Sequence, residues 1–316
     1  MLREEVSNAL NLRSGGVYVD LTAGRGGHAV DAARAVGPSG QVVLFDLDAG
    51  NLAFASARVR TEAGVEAVVV HGSFASVARE LQARGMVAEA VLADLGFSST
   101  QVDDAARGFS FMRDGPLDMR LDPSQGVTAA DLVNRSDERE IAEMLQRFGE
   151  EPLARRIAAK IVAARREAPI STTAQLADLV RDAYGARARS SRMHPATKTF
   201  QALRIAVNDE LGALGALLSS VQAAARAVHE GRPSWLARGA RIAVIGFHSL
   251  EDRMVKQCFA EMARGGLSVE ATRGAVVASE SEAAVNPRAR SAKLRVAMVG
   301  VPSSGELPPS RERGMR

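Results

Sequence analysis

Short apolar runs alternate with amphipathic stretches over the first hundred residues of this 316-residue chain. Four runs have the continuous apolar character of buried parallel strands: residues 17–21, 42–46, 67–71 and 90–94. The stretches between them are each long enough for a crossover helix, at residues 27–36, 49–60 and 74–84. This alternation predicts an α/β fold, a doubly wound and mostly parallel Rossmann-like sheet.

The alternation stops after about residue 103 and resumes after residue 195. Between these points the pattern is helical, with Ser136 and Ser171 at expected N-caps, so we predict an inserted all-helical domain at 104–195. Residues 1–103 and 196–302 then form one discontinuous domain. Its second part is predicted to hold a long helix through Phe200 and Leu214, strands at 240–247 and 293–299, and a helix at 250–263. We expect loop at 265–290 and a polar, disordered tail at 303–316.

Charge is concentrated in the predicted insertion. The chain carries +3 overall, but residues 153–204 hold eleven Lys and Arg against three acidic residues, which makes that stretch +8. Such a cluster is typical of a surface that contacts a phosphate backbone, although solvated helices also carry basic residues. The candidate RNA-binding residues are Arg187, Arg189, Arg192, Lys198 and Arg204.

Other classes of protein fit the composition poorly. No run of 18 apolar residues and no signal-peptide pattern occurs, so we expect a cytoplasmic protein with no membrane partner. The single cysteine, Cys258, and five scattered histidines do not form a metal-binding pattern, and we predict no metal.

A glycine-rich loop follows the first predicted strand and opens the first predicted helix. Gly24, Gly26 and Ala29 satisfy the fingerprint of a dinucleotide site, and Asp46 at the end of the second strand suits a ribose diol in either cofactor. Asp20 lies four residues before Gly24, where its carboxylate would repel a pyrophosphate but attract the ammonium of S-adenosylmethionine. The loop therefore favours S-adenosylmethionine over a nicotinamide cofactor.

The fourth predicted strand ends in Asp94, followed by Leu95, Gly96 and Phe97. The lone pair of an exocyclic base amine is delocalised, and acceptors on its N–H groups favour attack on a methyl group. Asp94 is the candidate catalytic acceptor, and Phe97 is a candidate for stacking on an extruded base. Asp94 could instead cap a loop, and Phe97 could be a core residue.

The stretch from Asp94 to Asp104, followed by Arg107-Gly108-Phe109-Ser110-Phe111, resembles the hallmark of the bacterial 16S ribosomal RNA cytosine-amino methyltransferases. Further matching segments are residues 115–120, 194–204, 247–253 and 286–291. The resemblance implies a methyltransferase domain at 1–103 and 196–302 with a substrate-recognition insertion. It also implies methylation of the amino nitrogen N4 of one cytidine in the decoding region of 16S rRNA, within the small ribosomal subunit.

The resemblance also implies the residues that contact S-adenosylmethionine. Carried over position by position, they are Gly26, Gly27, His28, Asp46, Phe74, Asp94 and Gln101, with Asp20 and Gly24 as supporting loop residues. Leu21 and Ala23 depart from the family's loop, which has glycine and phenylalanine there. The missing aromatic ring is expected to leave space near the methionine moiety.

Two other functions remain open from the residues. A nicotinamide-dependent dehydrogenase is favoured only by the Gly24–Ala29 fingerprint. A non-catalytic, RNA-binding ribosome assembly factor is favoured only by Leu21 and Ala23. The sequence is compatible with a homodimer but does not specify one.

Overall fold

The computed structural model describes residues 1–190, 194–272 and 274–300, without the side chains of Ser99, Arg189 and Ser190. The strands are β1 (Val17–Asp20), β2 (Gln41–Asp46), β3 (Ala67–His71), β4 (Ala88–Asp94), β5 (Leu236–Gly246), β6 (Ser268–Glu270), β7 (Val276–Val277) and β8 (Lys293–Val299). The helices before residue 150 are α1 (Arg3–Leu10), α2 (Gly27–Val36), α3 (Ala49–Ala63), α4 (Val77–Ala83), α5 (Ser99–Asp103), α6 (Ala129–Arg135) and α7 (Glu138–Gly149). The later ones are α8 (Ala154–Glu167), α9 (Thr173–Tyr184), α10 (Ala196–Asn208), α11 (Glu210–His229), α12 (Ser249–Arg264) and α13 (Glu280–Val285).

The chain divides into two compact units. The first combines residues 1–95 with the chain from Leu214 onward, and the second spans residues 96–213. The second unit is thus wider than the insertion predicted at 104–195. The reason is aromatic packing, since Phe97 stacks on Phe109 at 5.5 Å and Phe200 meets Phe111 edge-on at 5.0 Å in the second unit's own core.

The first unit is built on one mixed sheet. Its strand order is β3-β2-β1-β4-β5-β8-β6, with β7 also paired to β8. Strands β1 to β5 run parallel, and β8 runs antiparallel to β5. Val43 and Phe45 pack into the apolar core on one face, while Val42 and Leu44 pack on the other. A strand that is buried on both faces must be apolar at every position, which is why continuous apolar runs predicted this Rossmann-like sheet correctly.

The parallel strands bring three acidic residues to one edge of this sheet. Asp20, Asp46 and Asp94 are the last residues of β1, β2 and β4. Strand β1 lies between β2 and β4, and Asp20 is in register with Leu44 on one side and Leu92 on the other. Ligands of open α/β sheets bind at this carboxyl edge.

The second unit is helical, with α5 to α10 around a core of their own that includes Leu145, Ile157 and Leu176. Helices α7 and α10 approach closely where α7 ends. A Cβ on Gly149 would lie only 2.5 Å from the carbonyl oxygen of Lys198, so only glycine allows this approach.

Two predictions about the later part of the chain were wrong. The single long helix through Phe200 and Leu214 is two helices, because Asp209 between α10 and α11 adopts a left-handed conformation with φ of 48°. The predicted loop at 265–290 contains β6, β7 and α13, whose two to six residues are too short to show periodicity. The predicted tail at 303–316 lies outside the described residues.

Helix α11 is, among the described residues, the one helix long and apolar enough to cross a membrane. Its apolar residues include Leu217, Leu218 and Val221, which are buried in the core on one face of the sheet. Its apolar character is therefore explained by packing within the first unit.

Candidate active site

The glycine-rich loop joins β1 to α2 in a conformation that depends on its glycines. Gly24 and Gly26 have φ of 49° and 73°, the left-handed region that glycine occupies without strain. A Cβ on Gly26 would also lie 3.1 Å from the Cα of Ala55 on α3. Helix α2 begins at Gly27, where a Cβ would meet nothing within 4 Å. Helix α2 thus begins with amides that have no partner within the helix, and the space beside Gly27 is open.

Asp20 is buried at the base of this loop, with only 2% of its surface exposed. Its Oδ1 accepts a hydrogen bond from the Thr22 amide at 3.2 Å, and its Oδ2 accepts one from the Tyr18 hydroxyl at 3.1 Å. Burial raises the pKa of Asp20 to about 7, although these two donors lower it. The two hydrogen bonds hold the carboxyl group of Asp20 in place. It has no cationic partner among the described residues.

Asp46 holds the loop from the neighbouring strand. Its Oδ2 accepts the Gly24 amide at 2.8 Å, and its Oδ1 accepts the Asp48 amide at 2.8 Å. Burial raises the pKa of Asp46 as well. Both oxygens thus fix backbone, which sequence reasoning did not foresee, and the predicted contact with a ribose stays a prediction.

Asp94 completes the carboxyl edge at the end of β4. Its amide donates to the Thr22 hydroxyl at 2.7 Å, which ties this strand end to the loop. The buried Oδ1 of Asp94 has no hydrogen-bond partner among the described residues, and its Oδ2 lies 3.7 Å from Nε2 of His28. That separation is too long for a hydrogen bond. A buried acceptor in this state can take a hydrogen bond from a bound ligand.

The titration of this pair follows from desolvation. Burial raises the pKa of Asp94 to about 7; the positive charge of the N-terminal amino group lowers it, and the negative charge of Glu251 adds to the rise. Burial lowers the pKa of His28 to about 4, so its imidazole is neutral at pH 7. His28 therefore supplies no positive charge to Asp94, and its buried Nε2 likewise has no described hydrogen-bond partner.

These observations show that the residues fit S-adenosylmethionine. Three poorly solvated carboxyl groups would be stabilised as anions by a ligand that carries a sulfonium and an ammonium charge. The same groups would repel the pyrophosphate of a dinucleotide. The geometry thus favours the methyl donor among the two cofactors that the fingerprint allowed.

Three further predicted positions lie near this edge. Phe74 begins a short 3₁₀ turn after β3 and is partly buried against the core. Its predicted contact with adenine stays a prediction. Leu21 and Ala23, the two departures from the family's loop, are buried in the cores on opposite faces of the sheet.

Two predicted site residues belong to the second unit and have structural contacts there. Gln101 is 5% exposed, and its Oε1 accepts the Ser98 amide at 2.9 Å in the capping box of α5. Phe97 stacks on Phe109, and the Arg204 guanidinium lies 4.6 Å from the centre of its ring. Their predicted roles towards cofactor and base stay predictions.

Arg204 forms an ion pair within the second unit, and its predicted contact with RNA stays a prediction. Its guanidinium makes a two-pronged ion pair with Glu210, with both N–O distances 2.8 Å, and its side chain is only 13% exposed. Such a pair holds α10 to the start of α11. Lys198 donates to the Glu150 carbonyl at 2.9 Å, at the end of α7.

The other predicted RNA contacts are exposed or outside the description. Arg187 is exposed, Arg192 lies outside the described residues, and so does the side chain of Arg189. Helix α8 adds Arg155, Arg156 and Arg166, which are exposed and which the sequence marked only through the net charge of the insertion.

Sequence reasoning missed two residues of the site. Tyr18 and Thr22 hold Asp20 and the end of β4, respectively, through their hydroxyl groups. Thr22 lies inside the loop motif and could have been noted, whereas Tyr18 was counted only as part of a strand.

Comparison with known proteins places the chain in a family. Residues 1–299 match the model of the MraW methylase family. The chain is 46% identical over 302 residues to the ribosomal RNA small subunit methyltransferase H of Acidobacterium capsulatum, which covers 94% of this chain and 96% of that relative. The protein of the same name from Citrifermentans bemidjiense is 45% identical over 312 residues, with 94% and 96% covered.

Two solved structures also align over most of the chain. An rRNA methylase from Streptococcus thermophilus is 10% identical with a TM-score of 0.40 and covers 94% of each chain. An S-adenosylmethionine-dependent O-methyltransferase from Thermotoga maritima is 9% identical with a TM-score of 0.39 and covers 96% of this chain and 66% of that one. The family match and the close relatives, which agree with the geometry of the carboxyl edge, rule out the dehydrogenase. The chain belongs to the MraW methylase family, and its cofactor is S-adenosylmethionine.

Proposed function

We propose that this protein transfers the methyl group of S-adenosylmethionine to the exocyclic amino nitrogen N4 of a cytidine in the decoding region of 16S rRNA. The relatives' name supports ribosomal RNA of the small subunit as substrate. The motif from Asp94 to Phe111 supports a cytosine amine as the acceptor. The observation that carries the proposal is the unpartnered, buried Oδ1 of Asp94 at the carboxyl edge of the sheet.

In this reaction the residues of the chain orient the cofactor and polarise the cytosine amine. The cofactor, when bound, supplies an electrophilic methyl group. Asp94 accepts a hydrogen bond from the N–H of the cytosine amine, which raises the electron density on the nitrogen. Because burial raises the pKa of Asp94 to about 7, this group can also hold the proton that the methylated amine releases. Asp20 and Asp46 hold the cofactor loop.

The substrate's backbone is proposed to contact the helical unit. Arg155, Arg156 and Arg166 on α8 and Arg187 after α9 are exposed there and offer positive charge for phosphate groups. We place the activity in the cytoplasm, where ribosomal subunits are found; a homodimer stays a prediction from the sequence.

Transfer of a tritiated methyl group into small ribosomal subunits tests the proposal, with wild-type protein against Asp94→Ala and Asp94→Asn. We expect kcat to fall at least about 100-fold in both variants, because each removes the anionic acceptor. The fold should be kept, since a buried carboxyl with an unpartnered oxygen opposes folding. Glu66→Gln, which changes a carboxylate that is 74% exposed, is the control and should match wild type. Full activity of Asp94→Asn, or no methyl transfer by the wild type, would contradict the proposal.

A further inference from the structure

A cavity of about 280 Å³ lies in the first unit at the sheet edge opposite to the cofactor loop. Gly16, immediately before β1, lines it together with Glu89 at the start of β4 and Arg241 in β5. Asp94 lies five positions after Glu89 along β4, which at about 3.3 Å per residue puts the cavity on the order of 15 Å from the carboxyl edge. The cavity is thus separate from the candidate active site.

Positive charge exceeds negative charge around this cavity. Arg13, Arg238 and Arg241 line it, against the single carboxylate of Glu89. Arg13 pairs with Glu89 at 3.0 Å, but the two side chains are 78% and 36% exposed, so water screens this pair. Arg238 donates to the carbonyl of Gly300 at 3.0 Å, and it has no anionic partner among the described residues.

Arg241 is the most informative of the three arginines. One of its nitrogens donates to the carbonyl of Ala9, in the last turn of α1, at 2.6 Å. No carboxylate of the described residues forms an ion pair with it, and burial lowers its pKa. A guanidinium has five N–H donors and loses solvation free energy when it is partly buried. An anion in the cavity would replace the lost solvation.

We propose that this cavity binds a phosphate group, held by Arg13, Arg238 and Arg241. Guanidinium groups match phosphate oxygens in geometry and charge, and a cavity of this volume admits one phosphate with the atoms attached to it. The phosphate belongs either to an RNA backbone that runs past this edge or to a free phosphate compound. This binding is independent of methyl transfer.

Binding measurements on four variants test the proposal with two probes. The probes are inorganic pyrophosphate, followed by calorimetry, and a twelve-nucleotide single-stranded RNA without terminal phosphates, followed by fluorescence anisotropy at low salt. Arg13→Glu and Arg238→Gln change exposed ends of the cavity, and Arg241→Gln changes its buried side. The matched control is Arg79→Glu, because Arg79 is 77% exposed and pairs with Glu80 at 3.1 Å.

We expect each cavity variant to weaken the binding of at least one probe roughly fivefold to tenfold and, where RNA binding weakens, to lower the slope of log affinity against log salt by about one. Weakening of RNA binding alone assigns the phosphate to a nucleic acid backbone. Weakening of pyrophosphate binding assigns it to a free phosphate compound. If Arg13→Glu and Arg238→Gln bind both probes as Arg79→Glu does, the proposal is overturned, whether or not Arg241→Gln folds.

Discussion

At the scale of single residues, the site is defined by carboxyl groups that the fold desolvates. Asp20 illustrates the consequence, because burial raises its pKa from 3.8 to about 7. The folded protein therefore binds a proton more tightly than the unfolded chain at this position. The stabilisation of the folded state by this proton is fully present below about pH 4 and is lost as the pH rises to about 7. A cationic ligand would stabilise the ionised carboxylate of Asp20 and so offset the free energy of desolvating it. Cofactor binding is thereby linked to the ionisation of Asp20.

The variant Asp20→Asn tests this linkage. Because asparagine does not titrate, the free energy of unfolding should fall less between pH 4 and pH 8 than in the wild type, by at most about 4 kcal/mol. Urea unfolding at several pH values measures the difference, with Glu66→Gln as the control. The same variant should bind S-adenosylmethionine more weakly at pH 7.5. An unchanged pH dependence of stability would show that Asp20 is not desolvated as described.

Substitutions at Gly26 and Gly27 distinguish the contribution of the loop to stability from its contribution to cofactor binding. Gly27→Ala should leave the free energy of unfolding nearly unchanged, because the new Cβ meets nothing within 4 Å and the backbone is not left-handed. If Gly27 contacts the cofactor as predicted, that Cβ should still lower the affinity for S-adenosylmethionine at least about tenfold.

Gly26→Ala is the matched comparison. Its positive φ and its 3.1 Å approach to Ala55 should cost about 1–3 kcal/mol of stability. Calorimetric titration together with urea unfolding reads out both variants. Wild-type cofactor affinity in Gly27→Ala would remove this residue from the binding site.

At the scale of elements, alternation and strand ends were predictable, and breaks between helices were not. Strand β3 and helix α2 have the predicted bounds, since an apolar run or an amphipathic helix leaves a signal over its whole length. The break between α10 and α11 at Asp209 leaves no such signal, because the helical spacing of apolar residues continues across it. The contacts of Arg204 and Gln101 were unpredictable for a related reason: a single polar side chain does not reveal in the sequence which partner it will meet.

The contact between α7 and α10 depends on one glycine. Gly149→Ala should lower the free energy of unfolding by about 1–3 kcal/mol, because its Cβ would lie 2.5 Å from a backbone carbonyl that cannot move freely. Gly215→Ala in α11 is the control, since its Cβ would lie 3.6 Å from the end of the Met254 side chain. That change should instead be neutral or stabilise by about 0.5–1 kcal/mol. Equal stabilities of the two variants would contradict the close approach.

At the scale of the whole molecule, the chain combines a sheet unit that carries the cofactor edge with a helical unit rich in exposed arginine. The family and the fold class were predictable because the motifs span the chain from the loop to residues 286–291. The bounds of the second unit were not, because no local pattern in the sequence reveals that Phe97 and Phe200 pack on Phe109 and Phe111. The net charge of a stretch of sequence does not reveal which arginines form ion pairs within the protein, as the pair of Arg204 with Glu210 illustrates.

The central claim is that Asp94 directs the methyl group to the N4 atom of a cytidine in 16S rRNA. Mass spectrometry of nucleosides from this RNA tests it most directly, in a strain that lacks the gene and carries either the wild-type or the Asp94→Ala copy. We predict N4-methylated cytidine with the wild-type copy, and its loss with Asp94→Ala at equal protein levels. Equal N4 methylation by the two copies, or a new methyl group on a different atom, would contradict the account.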